Sequence, residues 1–235
     1  MNRTTTGIHG LDSLLNGGFV QGSTILLSGC SGSGKTIFGL QFLHHGATEL
    51  DEAGVFVTLE SRPNEIRQEA LQFGWNLEEL EKEKKLILID AASSKAGLPT
   101  SESYTLRRGF DVSALAEEIY RAVHDISAKR LVLDSISGLG IRFDQPVEVR
   151  NAVFTISALL RELEITALFV SEIVHRDALS LAGVEQYIAQ GLITLNLLQN
   201  NNSLERSLTI WKMRGSAHSL KCHKLQIDDT GIRVS

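Results

Sequence analysis

The stretch Gly29-Cys30-Ser31-Gly32-Ser33-Gly34-Lys35-Thr36 satisfies the pattern G-x-x-x-x-G-K-S/T at every fixed position. Glycines at this spacing let successive backbone N–H groups turn inward around phosphate oxygens. A helix opening at the end of the loop adds positive partial charge there. Lys35 is placed to reach the outer phosphates, and the Thr36 hydroxyl is placed to hold Mg²⁺. The flanks suit this chemistry. Thr24-Ile25-Leu26-Leu27-Ser28 reads as a buried strand, and Phe38, Leu40, Phe42 and Leu43 supply the apolar face of a helix. Strand, glycine-rich loop and helix in this order predict a nucleotide site.

Three further groups carry candidate chemistry. Asp134 ends an apolar run, where an acid in phosphate-loop enzymes holds Mg²⁺ directly or through water. A strand-ending Asp also serves as a cap for the next segment, and the phosphate loop upstream favours the metal role. Glu60 closes the run Val55 to Leu59, at the carboxyl edge where α/β sheets place their ligands. A carboxylate there can orient or deprotonate a water attacking a γ-phosphate. A surface Glu at a strand end has the same appearance, and the sequence alone leaves both readings open. The third group is Lys212-Met213-Arg214-Gly215-Ser216-Ala217-His218. Strand alternation puts Lys212 and Arg214 on one face. Two cations beside a nucleotide stabilise developing charge, whereas on an exposed edge strand they act as gatekeepers against aggregation.

The elements that must position these residues are short continuous apolar runs, the form of parallel strands covered on both faces. They are Gly54 to Leu59, Leu86 to Asp90, Leu131 to Asp134 and Thr166 to Ser171. Helical periodicity separates them. Leu115, Ala116, Ile119, Val123 and Ile126 recur between Val112 and Ile126, with Asp111 placed as N-cap. Pro146 opens a second such helix, with Val149, Val153, Ile156, Leu160 and Leu163 on its apolar side. Such alternation makes a parallel α/β sheet. After Gly191 the pattern changes: Leu192 to Leu197, Ser207 to Trp211 and Lys224 to Ile227 have no helix between them and predict an antiparallel extension. Asn200-Asn201-Asn202-Ser203 reads as a hairpin loop. Two connections, Ala91 to Phe110 and Ile173 to Gln190, are longer than simple connectors and read as functional or mobile loops. The mixed-sign run Glu78 to Lys85 reads as a solvated helix end.

Composition narrows the class. At 235 residues and 43% apolar content, one domain spanning 1–235 with a substantial core is expected. A net charge of −5 argues against a sequence-indifferent DNA binder, which carries a basic surface. Cys30 and Cys222 offer neither metal spacing nor a disulfide framework, and Cys30 reads as a small residue tolerated inside the loop. No apolar run has the form of a signal peptide or the length of a membrane span, so a cytoplasmic protein is expected.

Six ordered blocks together resemble a KaiC-type domain of the RecA superfamily. They are Gly7 to Gly18, the phosphate loop, Val55 to Ser61, Arg130 to Ser135, Gly183 to Leu195 and Lys212 to His218. The chain resembles one such domain, whereas the circadian clock protein carries two. The resemblance implies a RecA-like phosphate-loop core, with a mainly parallel central sheet flanked by helices and the antiparallel β extension at its C-terminus. It also implies a homo-oligomeric ring, usually a hexamer, with ATP and Mg²⁺ at each subunit interface. Gly32, Ser33, Gly34, Lys35, Thr36 and Ile37 would contact the nucleotide within one subunit, with Thr36 on the metal. Glu60 matches the water-activating Glu. Lys212, Met213, Arg214, Ser216 and His218 match residues that reach the neighbouring subunit's ATP, with Lys212 and Arg214 near its γ-phosphate. Gln72, Asp228 and Asp229 align with further nucleotide-side positions.

Two departures bear on activity. The family often carries a Glu-Glu pair after the second strand, and here the pair is Glu60-Ser61. The clock protein's autophosphorylated Ser-Thr pair aligns near Gln186-Tyr187, so no autokinase cycle is expected. The leading expectation is a slow, Mg²⁺-dependent ATPase ring acting as a regulatory switch. A recombination ATPase is the runner-up. Its pore-side loop would be Ile173 to Gln190, where His175, Arg176 and Tyr187 make a sparse nucleic-acid funnel. A third reading is an ATP-gated module that binds a protein partner with little hydrolysis.

Overall fold

The computed structural model describes residues 1–107, 109–141, 146–173, 185–200 and 203–235. The chain opens with β1 (Arg3–Thr4), α1 (Leu11–Leu14) and β2 (Phe19–Val20), followed by β3 (Thr24–Gly29) and α2 (Lys35–Glu49). Next come β4 (Gly54–Thr58), α3 (Pro63–Leu71), α4 (Leu77–Lys82), β5 (Leu86–Asp90) and α5 (Ala91–Ala96). The second half holds α6 (Val112–Ile126), β6 (Arg130–Asp134), a 3₁₀ turn (Ile136–Ile141), α7 (Pro146–Glu162) and β7 (Thr166–Glu172). It closes with α8 (Glu185–Ile188), β8 (Gly191–Asn200), β9 (Ser203–Met213), β10 (Cys222–Asp228) and β11 (Gly231–Val234).

β1 and β2 pair with each other, and the other nine strands form one sheet in the order β11-β10-β9-β8-β3-β7-β6-β4-β5. From β8 to β5 the neighbours run parallel; β8, β9, β10 and β11 pair antiparallel. This is the mixed α/β architecture that the apolar runs predicted. Every residue of β3, β4 and β5 is buried, because helices cover both faces. One core joins α2 to β3, β8 and β9 through Phe38, Phe42, Ile193 and Ile210. The other packs α6 and α7 onto the opposite face through Leu115, Ile119, Val153 and Ile156.

Local signals set several boundaries as expected. Asp111 caps α6 by accepting from Ala114 N at 2.8 Å, and Pro146 opens α7. The Ala91–Phe110 stretch is not all loop. Asp90 accepts from Ser93 N at 2.9 Å and starts α5, a helix too short and small-residue-rich to show a period. Thr105 then bridges back to Asp90 beside β5. The Ile173–Gln190 stretch ends in α8, while 174–184, with His175 and Arg176, lies outside the described residues. Residues 201–202 of the Asn-rich hairpin also lie outside, although Asn200 pairs with Ser203 in register.

A buried arginine fixes the N-terminal segment. Arg130 opens β6 fully buried, and its guanidinium donates to Thr5 O and Phe42 O, each at 2.9 Å. It pairs with Glu52 at 2.6 Å and lies 4.6 Å over the Phe42 ring. Gly46 leaves the space, since a Cβ there would stand 2.4 Å from Arg130 Nε.

Candidate nucleotide site

The phosphate loop leaves β3 at Gly29 and enters α2 at Lys35. Gly32 and Gly34 hold φ of 77° and 102°, backbone that glycine adopts without strain. Gly34 is the N-cap of α2, and no side chain caps that terminus. The orphan N–H groups of the first turn are therefore available to an anion. Lys35, Thr36 and Ile37 of that turn line a cleft of about 530 Å³, a volume suited to a small-molecule ligand. Lys35 Nζ lies across the loop, donating to Gly29 O and Cys30 O at 2.9 Å each.

The strand ends bring the acids to this loop. Thr58 of β4 stands opposite Asp134 of β6, and Leu59 N donates to Asp134 O at 2.7 Å. Thr36 Oγ1 donates to Asp134 Oδ2 at 2.6 Å. That carboxylate caps no helix among the described residues. Burial raises its pKa to about 6; Glu60 and Glu69 push the same way, against the Thr36 hydrogen bond and Lys35. Ser135 Oγ donates to Glu60 Oε1 at 2.5 Å, so Glu60 faces the cleft with one oxygen held. Ser61 is not part of the cleft wall. Its carbonyl accepts from Thr58 Oγ1 at 2.5 Å, so the departure from a Glu-Glu pair falls outside the cavity.

Other walls come from elements whose role the sequence did not announce. Glu69 and Gln72 come from α3 and its end, with Phe73 next to them. Glu172 ends β7 and Ile227 lies on β10. Arg206 of β9 donates from Nε and Nη2 to Gly32 O at 3.2 Å. Burial and Glu65 raise the Glu69 pKa. Of these residues only Gln72 was read as a candidate. A basic residue on the strand that carries Lys212 and runs into Arg214 was the available signal for Arg206.

Glu60, Glu69, Asp134 and Glu172 outnumber the cleft's cations, Lys35 and Arg206. Among the described residues no group of three or more His, Cys, Asp or Glu forms a metal cage. A hydroxyl and one buried carboxylate, completed by phosphate oxygens, are the donor set that suits Mg²⁺.

Lys212, Met213, Arg214, Ser216 and His218 lie elsewhere. Register locates them: Gly191 starts β8 opposite Ile25 of β3 and opposite Met213 of β9. The phosphate loop begins at the other end of β3, where Gly29 faces Leu195. Lys212 and Arg214 thus sit at the edge of the sheet opposite their own phosphate loop, about four strand residues or ~13 Å away along the strand. The Met213 side chain is 3% exposed, packed in the core. Ser216 Oγ donates to Leu15 O at 2.9 Å, and His218 Nδ1 lies 3.3 Å from Ser216 O. Asp228 follows Ile227 beside the cleft, but its carboxylate accepts from Thr230 N and Oγ1 and pairs with Arg233. Those Thr230 hydrogen bonds hold its pKa below the usual value. Asp229, next in the same turn, is outside the cleft wall.

A glycine-rich loop between a buried strand and a helix, with a strand-ending Asp on its threonine, defines a phosphate-loop nucleotide-binding protein. The family described as "ATPase: KaiC" matches residues 4–235, and the chain belongs to it. A UPF0273 protein of Methanopyrus kandleri is 41% identical over 236 residues, covering 100% of this chain and 92% of that protein. The circadian clock oscillator protein KaiC of Acaryochloris marina is 34% identical across 100% of this chain, which spans 44% of that longer protein. A crystal structure of a KaiC-like protein from Pyrococcus horikoshii superposes with a TM-score of 0.87 at 38% identity, covering 100% and 99% of the two chains. Among the described residues no helix is long and apolar enough to cross a membrane.

Proposed function

We propose that this chain is a single-domain ATPase whose active site is completed between copies in a ring, working as a slow regulatory switch. The observation that carries the reading is the separation of the Lys212–Arg214 strand end from the chain's own phosphate loop, at the opposite edge of one sheet. Cations so placed reach a nucleotide only in another copy's cleft. Within one subunit, the α2 N-terminus and Lys35 bind the phosphates, and Thr36 with Asp134 would hold Mg²⁺, which when bound neutralises phosphate charge. Glu60, fixed by Ser135 through one oxygen, offers the other to a water and takes its proton as that water attacks the γ-phosphate. Lys212 and Arg214 of the next copy stabilise the charge gathering on the transferred group.

Mixing two inactive variants tests this. Glu60→Gln and Arg214→Ala are each expected to hydrolyse ATP slowly, while their mixture regains turnover at interfaces pairing an intact Glu60 with an intact Arg214. Light-scattering mass measured alongside should report an oligomer. Failure to regain turnover, with both variants binding ATP and assembling, removes the shared site. If the wild type binds ATP without turnover, the chain is a nucleotide-gated binding module.

A further inference from the structure

A residue proposed to reach a neighbour's nucleotide is here turned onto its own chain. Lys212 Nζ donates to Gln186 O at 2.9 Å and to Ala189 O at 2.6 Å, carbonyls in and just after the last turn of α8. Helix-terminal carbonyls lack intrahelical donors and concentrate negative partial charge, which makes a lysine ammonium a matching partner. α8 has 4 residues, too few to persist without outside ties. Beyond its end, Gln190 is anchored to β3 by Thr24 N donating to Oε1 at 2.9 Å and by Gln190 N donating to Thr24 O at 2.8 Å. Arg214 N adds a bond to Gln190 O at 2.9 Å. The Lys212 bonds reach further back, into the helix itself.

The two carbonyls take two of the three donors of the ammonium. A γ-phosphate is the stronger acceptor, because its bond to an ammonium is charge-assisted on both sides. Burial and the Arg214 cation both push the Lys212 pKa down, a cost that an approaching anion relieves. Resting on the ring reading above, we propose that Lys212 is a two-position tether. Without nucleotide in the neighbouring cleft it fastens the end of α8; a γ-phosphate there draws it away and loosens that helix. α8 thereby reports the nucleotide state of the adjoining subunit, and the same residue that serves the neighbour's chemistry carries the signal home.

Amide hydrogen exchange of the full-length chain tests this, in a Glu60→Gln background that retains the γ-phosphate. Without nucleotide, residues 185–191 should exchange about tenfold faster or more after Lys212→Met, since one lost charged hydrogen bond is already worth about tenfold and two are removed. Lys212→Arg, which keeps a cation and donors, should stay near the parent. ATP with Mg²⁺ should bring the parent up to the Lys212→Met rate and leave Lys212→Met unchanged. Equal exchange in the nucleotide-free parent and Lys212→Met overturns the tether, whatever the assembly state. Slow exchange at 185–191 in a parent that has bound ATP overturns the switch. The nucleotide-free comparison needs no ring, so a failed tether is distinguishable from a failed shared site, which shows instead as no recovery on mixing.

Discussion

Thr36 Oγ1 donates to Asp134 Oδ2 at 2.6 Å, joining the last residue of the phosphate loop to the end of a strand 98 residues later. The carboxylate is so buried that it titrates at about 6 instead of 3.8. Between these values the folded chain keeps a proton that the unfolded chain has released, so stability falls as pH rises through the window. Above about pH 6 the full cost stands, on the order of 2–3 kcal/mol. Asp134→Asn keeps an acceptor for Thr36 and removes the charge. In urea unfolding without nucleotide, the variant should gain on the wild type as pH rises from about 4 to 7, by up to that amount. It should also lose the extra stability that Mg²⁺ with ATP confers on the wild type. A stability difference that does not change with pH would mean the folded carboxyl titrates normally.

Glu60 tests the chemistry apart from binding. Its Oε1 accepts from Ser135 Oγ, a bond that the amide oxygen of Gln preserves. Glu60→Gln should therefore bind ATP as the wild type does while turnover drops by about 10²–10⁴, the contribution of a general base. Steady-state phosphate release paired with equilibrium nucleotide binding separates the two. Parallel losses in both would assign Glu60 to ground-state binding.

Two strand-ending aspartates show what the sequence made legible. Asp90 and Asp134 both close apolar runs, yet Asp90 caps α5 while Asp134 meets Thr36. Strand order separates them: β5 is the edge strand, whereas β6 lies inside the sheet, two places from β3. The phosphate loop was readable because its chemistry lies in eight consecutive residues. The parallel core was readable because its runs are short and continuous. Glu69, Phe73, Glu172 and Arg206 were not, since only folding brings them to one cleft. Lys212 and Arg214 were assigned to a nucleotide through family resemblance alone, and register puts them at the far edge of the sheet. The inward bonds of Lys212 had no sequence signal, because both acceptors are backbone carbonyls.

Arg67 holds the helix that forms one cleft wall. Its guanidinium meets Glu81 at 2.8 Å and Glu102 at 2.7 Å, with Asn64 Oδ1 also at 2.8 Å. Arg67 and its two acids are 14%, 23% and 19% exposed, so water screens them only in part. Arg67→Met leaves both carboxylates without their partner and should cost about 1–3 kcal/mol. Arg67→Lys cannot reproduce the fork and should recover only part of it. Because α3 leads into Gln72 and Phe73 of the cleft wall, nucleotide affinity should fall along with stability in denaturant titrations. Glu81→Gln combined with Arg67→Met should cost less than the sum of the two, which a double-mutant cycle measures.

Phe73 is the aromatic wall of the cleft, and it communicates with a tryptophan. Its ring stacks on Trp75 at 4.9 Å, and Trp75 stacks on His44 at 5.4 Å. With Ile37 and Ile227 it forms an apolar surface suited to a purine base. The other tryptophan, Trp211, is 52% exposed on β9 and donates from Nε1 to Thr194 Oγ1 at 3.0 Å, so Trp211→Phe leaves Trp75 as the sole indole at the cost of that one hydrogen bond. In that background, ATP should change Trp75 emission. Phe73→Ala should weaken ATP binding about tenfold or more, the scale of one aromatic–base stack, and suppress the emission change. Inorganic triphosphate has no base, and it should bind through the phosphate loop without altering the fluorescence. An equal signal from triphosphate would show that the indole senses phosphate-loop ordering instead, and undiminished ATP affinity in Phe73→Ala would place the base against another wall.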